Sequence, residues 1–188
     1  MDRLTKEQWL DHGLHCLAKD GFTILKGDTL AKSLGVSRGS FYWHFKNLAE
    51  FHLSILARWE TLTVETAVST LEASTDNAAE RLKAVINMAA SSNIPLEQAI
   101  RAWANSNANV EQAVNNVDTS RIAYLEQIFT ELGLGEEMAY ARARIVYFGF
   151  LGQMLVGKSM TVEQRTLVTN ELVHLTTKMT STQNKNLS

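Results

Sequence analysis

Residues 30–45 read L-A-K-S-L-G-V-S-R-G-S-F-Y-W-H-F, the pattern of two short helices joined by a tight turn. Leu30, Ala31 and Leu34 fall on one face of the first helix. Gly35 then sits where a chain leaving a helix enters the left-handed region, which a residue without Cβ does at no steric cost. Val36 is apolar and plugs the corner. Ser37 is a good N-cap and places Arg38, Gly39 and Ser40 in the first turn of the second helix. This is helix-turn-helix spacing.

The second helix opens with chemistry rather than packing. Arginine can donate two parallel hydrogen bonds to guanine O6 and N7, serine bonds base edges or phosphates, and glycine lets a backbone come close. Phe41 and Phe45, four apart, are expected to face a small core and leave Tyr42, Trp43 and His44 on the outward arc. Tyr42 and His44 suit phosphates. Lys46 precedes Asn47, which with Glu50 reads as a capped helix start. A lysine beside the free amides of a helix N-terminus forms an anion site. The plainer reading is a surface turn between two ordinary helices, but turn, cap, basic and aromatic signals coincide in one window and favour a groove-reading element.

Residues 35–47, G-V-S-R-G-S-F-Y-W-H-F-K-N, resemble the DNA-binding signature of the TetR (tetracycline-repressor-like) family of bacterial transcriptional regulators, and the chain length fits that family. The resemblance implies that Ser37, Arg38, Gly39, Ser40 and Trp43 lie at the groove, with Tyr42, His44 and Lys46 on backbone phosphates. The family often begins the first helix of the motif with Thr or Ser, where this chain has Lys26, Gly27 and Asp28. Asp28 is therefore expected to cap that helix later than usual.

A chain of 188 residues, 45% hydrophobic, 20% charged and with one proline, suits a mostly helical protein better than a sheet protein punctuated by turns. The single cysteine, Cys16, leaves no partner for an intramolecular disulfide and gives no metal spacing. The N-terminus, M-D-R-L-T-K-E-Q-W, lacks the apolar run of a signal peptide, so a cytoplasmic location is expected. Ile145 to Val156 is about half of what a membrane span requires. Net charge is −2, which argues against a nonspecific nucleic-acid coat. Residues 1–50 hold seven Lys/Arg against six Asp/Glu, and residues 51–188 eleven against fourteen. That distribution points to a few placed DNA contacts rather than a broad positive field.

Working outward, Thr5 with Gln8 is a capping box, and Trp9, Leu10, Leu14 and Leu17 recur at helical spacing up to Asp20-Gly21. Phe22 and Ile24 are expected to fold back over the helix-turn-helix pair. His12 and His15 read as solvated or near phosphates, and Cys16 as a core or boundary thiol. From Asn47 a long helix continues to about Leu71. A fifth helix follows Asp76-Asn77, and a sixth carries Pro95 in its first turn. Asn109 to Gln112 reads as the cap of a long seventh helix, on whose apolar stripe Arg121 either pairs with Asp118 or faces a polar cavity. Gly133 and Gly135 end it. From Ile145 to Val156 the eighth helix is apolar nearly all round and needs cover on both sides. Thr161 with Gln164 caps a ninth, with Leu167, Val168, Leu172 and Leu175 along it.

A second copy of the chain is the economical cover, with Phe148, Gly149, Gly152, Leu155 and Val168 at a four-helix dimer interface. The alternative is a monomer with one unusually buried helix. The resemblance implies the dimer too. The expected architecture is all-α, about nine helices: a three-helix DNA-binding domain over 1–48, a larger ligand-binding and dimerisation domain over 49–180, and a disordered tail over 181–188. Trp59, Met88, Trp103, Tyr124, Tyr147 and Phe148 are candidates to line a ligand cavity, with Arg101, Arg121, Asn105 and Gln153 as polar anchors.

Two-fold symmetry in the protein calls for a palindromic double-stranded operator. The resemblance implies that a small apolar or amphipathic effector shifts the fourth helix and relieves repression. The alternative is a DNA-binding dimer with no such ligand. No cofactor is expected, and no enzyme: the chain has no H-E-x-x-H, no G-x-S-x-G and no glycine-rich phosphate loop.

Overall fold

The computed structural model describes residues 4–90, 92–156 and 160–178, and among these the chain is all-α. The helices are α1 (Lys6–Asp20), α2 (Gly27–Ser33), α3 (Arg38–His44), α4 (Leu48–Glu60, continued by a π-helical stretch, Thr61–Glu65, and by Thr66–Ser74), α5 (Ala78–Ala90), α6 (Ile94–Ala104), α7 (Ala108–Glu131), α8 (Glu136–Val156) and α9 (Val162–Lys178). A single 3-10 turn, Phe22–Ile24, follows α1. The expected tail over 181–188 lies outside the described residues. No described helix is long and apolar enough to cross a membrane.

Local chemistry sets most of the helix ends. The Thr5–Gln8 capping box forms at α1, and Thr161 and Gln164 exchange the same reciprocal bonds at α9. Asn47, Asn77 and Asn93 accept from the first-turn amides of α4, α5 and α6. At the end of α2 the Gly35 N–H bonds the Lys32 carbonyl and the Val36 N–H bonds the Ala31 carbonyl. With φ +68° at Gly35 this is a Schellman stop, and Val36 packs onto the core beneath. Gly133, at φ +90°, ends α7 in the same way.

Several expectations are corrected. Helix α7 is capped two residues before Asn109: Asn107 Oδ1 accepts from the Asn109 and Val110 amides. Helix α4 continues past Leu71 to Ser74. Asp28 does not cap α2, whose N-cap position is Lys26 with no side-chain bond; Asp28 lies inside the first turn. Phe22 stacks parallel on Trp103 of α6 at 6.2 Å instead of folding over α2 and α3, and Leu25, 1% exposed, takes the core position. His12 is not solvated alone: its Nε2 lies 2.7 Å from Ser33 Oγ and 3.4 Å from Cys16 Sγ, tying α1 to the end of α2. Burial, then neighbouring His15, pushes His12 below the usual histidine range. Burial also pushes the Cys16 thiol up.

The described residues fall into two compact units. The first combines residues 4–66 and 93–117. Its core gathers Trp9, Leu17, Leu25, Leu30, Phe41, Phe45, Phe51, Ile55 and Trp59 with Ile100, Trp103 and Val110. The packing unit extends past the boundary expected at residue 48, because α6 lies against α1. Gly13 lets α4 close on α1: a Cβ there would stand 2.6 Å from Ile55 Cδ1. Arg58 adds a two-point bond to Asp11, Nε to Oδ1 at 3.0 Å and Nη2 to Oδ2 at 3.3 Å.

The second unit combines the described residues of 67–92 and 118–178. Leu82, Ile86, Leu125, Ile128, Phe129, Ala143, Val146 and Tyr147 form its core, and α9 packs on α8 and α5. Gly149 admits Leu172 of the same chain, whose Cδ2 occupies the place of a Cβ. That close approach is α9 on α8, within one protomer. Gly152 has open space around it.

Candidate nucleic-acid interface

Helix α3 is only two turns long, so its placement depends on what its inner face grips. Phe41 and Phe45 are both 1% exposed. The Phe41 ring meets Trp9 edge-on at 5.5 Å, Phe45 at 5.1 Å and Phe51 at 5.2 Å, so α1, α3 and α4 share one aromatic knot. Gly27 leaves room for it: a Cβ there would lie 3.0 Å from Phe41 Cδ1. The knot holds α3 with Arg38, Gly39, Tyr42 and Trp43 outward, all exposed, Trp43 at 66%.

Ser37 takes the extended N-cap backbone expected of it, yet its hydroxyl makes no capping bond. The hydroxyl is thereby left for another partner. Ser40 is half-buried, and its amide bonds the Ser37 carbonyl at 3.0 Å. Gly39 is not at positive φ, and a Cβ there would meet Ser37 Oγ at an ordinary contact distance of 3.7 Å. The fold does not require glycine there.

Arg38 is the anchor of the surface. Its Nε lies 2.9 Å from Asp28 Oδ1, and its Nη2 donates to the Tyr42 hydroxyl at 3.1 Å. The Tyr42 hydroxyl and then Asp28 both favour the charged guanidinium. The sequence carries no signal for the Asp28 contact, since a separation of ten residues across a turn has no periodic meaning. His44 is half-buried, with its Nε2 inward and without a hydrogen-bond partner. Lys46 is exposed, but its backbone N–H donates to Glu50 Oε2 at 2.9 Å, and Lys6 Nζ lies 3.8 Å from Glu50 Oε1. A carboxylate thus already occupies part of the α4 N-terminus that the sequence marks as an anion site.

The other candidates separate by unit. Trp59 and Trp103 are buried in the core of the first unit, where His52 meets Trp103 edge-on and its Nε2 sits 3.0 Å from the Leu25 carbonyl oxygen. In the second unit Tyr147 is buried and donates to Asp118 Oδ1 at 2.6 Å. Burial pushes its phenol up to about 12; Arg121, opposing, interacts with the same hydroxyl. Arg121, Asp118 and Tyr147 therefore form one polar cluster, which answers how a cation is tolerated on the α7 stripe. Tyr124 is half-buried with its hydroxyl unbonded, and Gln153 donates to Thr169 at 3.0 Å. Met88 and Phe148 are exposed. An open cleft of about 500 Å³ at Glu126, Thr130, Glu136, Glu137, Ala139 and Tyr140 includes none of the six expected ligand residues. Among the described residues no three His, Cys, Asp or Glu side chains group as a metal would need.

Comparison with known proteins bears on both units. The family model of bacterial regulatory proteins, tetR family, matches residues 10–52, the stretch from α1 into α4. A transcriptional regulator from Rhodococcus sp. Rha1 has a similar structure, with a TM-score of 0.75 at 16% identity over 92% of this chain and 95% of that one. A transcriptional regulator from Saccharomonospora viridis, solved in complex with choline, gives 0.72 at 14% identity over 90% and 95%. The regulator FadR from Bacillus subtilis, solved with stearoyl-CoA, gives 0.66 at 19% over 93% and 98%. At these identities the likeness establishes the fold. No curated protein sequence matches this chain.

Proposed function

We propose that this chain, by its N-terminal segment a DNA-binding transcriptional regulator of the tetR family, works as a homodimeric repressor that leaves a palindromic operator when a small amphipathic ligand binds. The observation that carries the DNA side is the surface of α3. Phe41 and Phe45 fix the helix from within, so Ser37, Arg38, Gly39, Tyr42 and Trp43 stand outward on a rigid element. Arg38 reads a base, Ser37 and Ser40 bond base edges or phosphate, Trp43 packs in the groove, and Tyr42, His44 and Lys46 take phosphates. In this reading the chain is a binder and not an enzyme, and it acts in the cytoplasm where its DNA lies.

Two kinds of observation support the regulatory half. Structures of like fold were solved with choline and with stearoyl-CoA, so the fold accommodates small molecules with both polar and apolar parts. In this chain the second unit carries the Asp118–Tyr147–Arg121 cluster beside apolar core, a polar anchor of the kind such a ligand needs. Ligand binding would favour a DNA-incompetent spacing of the two heads.

The test is selection of bound fragments from the whole genome by the purified protein, with and without a pool of cell metabolites. One palindromic motif, lost when the pool is added, is the expected result. A motif that no pool disturbs favours a ligand-free dimer, and no motif at all removes the DNA reading. On the selected operator, Arg38→Ala is expected to cost about 1–3 kcal/mol of specific binding and to relax preference at the base it reads. A loss shared equally by all sequences would make Arg38 a phosphate contact instead.

A further inference from the structure

The carboxylate of Asp28 belongs to α2, yet it is ion-paired with the first residue of α3. Its Oδ1 lies 2.9 Å from Arg38 Nε as an ion pair, with both side chains largely exposed. On the other side Tyr42, one turn along α3, accepts from Arg38 Nη2 through its hydroxyl at 3.1 Å, and the guanidinium carbon stands 5.3 Å from the Tyr42 ring centre. An arginine side chain alone at a helix start samples many rotamers and loses them on docking. Here two neighbours, one on each helix of the motif, hold it before any docking.

A guanidinium has five N–H donors in a fixed plane. The Asp28 carboxylate stands beside Nε, and the Tyr42 hydroxyl takes one Nη2 hydrogen. A hydrogen remains on each of Nη1 and Nη2, and such a pair can match guanine O6 and N7. We propose that Asp28 is a positioning residue for base reading: it holds Arg38 by Nε so that this pair is presented to guanine. The proposal rests on Arg38 being a base contact. It also gives Asp28 a role that its charge alone would oppose, since a lone carboxylate near the phosphates weakens all DNA binding alike. Positioning and repulsion therefore predict opposite signs, which makes the pair separable.

The experiment measures the affinity of the full chain, as wild type, Asp28→Asn, Asp28→Ala, Arg38→Ala and Asp28→Ala/Arg38→Ala, for the selected operator duplex, for duplexes changed at each base pair, and for an unrelated duplex. Asp28→Asn keeps the shape of the side chain, and melting curves confirm that each variant is folded. In Asp28→Ala, discrimination at the one base pair that Arg38 reads is expected to fall about 5- to 10-fold, within the roughly 1–3 kcal/mol of a good bidentate contact, while affinity for the unrelated duplex is unchanged or rises. Asp28→Asn falls between. In the Arg38→Ala background the Asp28 change has no further effect on discrimination. Tighter binding to every duplex with discrimination intact would make Asp28 a repulsive charge and overturn the proposal. So would intact discrimination in Asp28→Ala when Arg38→Ala loses it. If Arg38→Ala itself keeps every base preference, the base-reading assignment of Arg38 fails and the role of Asp28 goes with it.

Discussion

Phe41→Ala unfolds the first unit well before Trp43→Ala disturbs it, although the two aromatics are two residues apart on the same short helix. Phe41 is 1% exposed and touches Trp9, Phe45 and Phe51; truncating a phenylalanine so placed costs about 3–5 kcal/mol. Relaxation cannot close the gap easily, because three different helices would have to move together. For a unit of this size the midpoint of thermal unfolding drops by about 12 °C or more, and operator binding disappears with the fold. Trp43 is 66% exposed, so its replacement changes stability by only about 0.5 kcal/mol. On the proposed interface, the replacement is expected to weaken DNA binding while the first unit stays folded. Circular dichroism melts of both variants, with binding measured at 10 °C below each midpoint, separate the two effects. Equal melting of the two variants would mean that the aromatic knot does not hold α3.

The contrast between these neighbours was legible in the sequence, and the reason is local. Spacing of four puts Phe41 and Phe45 on one face, and a glycine at a helix end gives the turn its backbone. Caps are local as well: Thr5 with Gln8, Asn47 and Thr161 with Gln164 bond within their own first turns. Where the reading failed, a partner came from elsewhere in the fold. Phe22 found Trp103 on α6, His12 found Ser33, and Gly149 admitted Leu172 of α9. None of these pairs is set by periodicity. The candidate interface divides the same way. The chemistry of Ser37 to Trp43 was legible because it lies on one helix, as was Glu50 at the α4 N-terminus, whereas the hold of Asp28 on Arg38 and the choice of the Lys46 amide as the partner of Glu50 needed the turn and cap geometry. Asn107 shows the limit within local signals: three asparagines lie at 105, 107 and 109, and each is an acceptable cap.

A glutamate at Phe148 should cost the protein its partner and, through that, nearly all operator binding. Helix α8 buries Ala139, Ala143, Val146 and Met154 on one face. Its other face leaves Met138, Ile145, Phe148 and Leu155 exposed, a row at separations of seven, three and seven, with Gly152 in the same row and open. On α9, which packs beside it, Leu167, Val168 and Leu175 are exposed as well. Exposed apolar side chains on two packed helices are what a second copy of the same pair would cover. Because Phe148 is 57% exposed, Glu there is compatible with the fold of one protomer. A carboxylate buried without a partner in the interface is not tolerated. The variant should therefore sediment as a monomer with an unchanged melting profile at low concentration. Its affinity for a palindromic duplex should fall about 10²- to 10⁴-fold, the loss expected when two linked heads become independent. Its affinity for a duplex carrying one half-site should match that of the unaltered protein, since the α3 surface is untouched. Leu155→Glu, in the same row, should behave alike. A dimer that keeps full operator affinity with Glu at either position would move the interface away from this row, and a half-site affinity that fell in parallel would place the damage in the head.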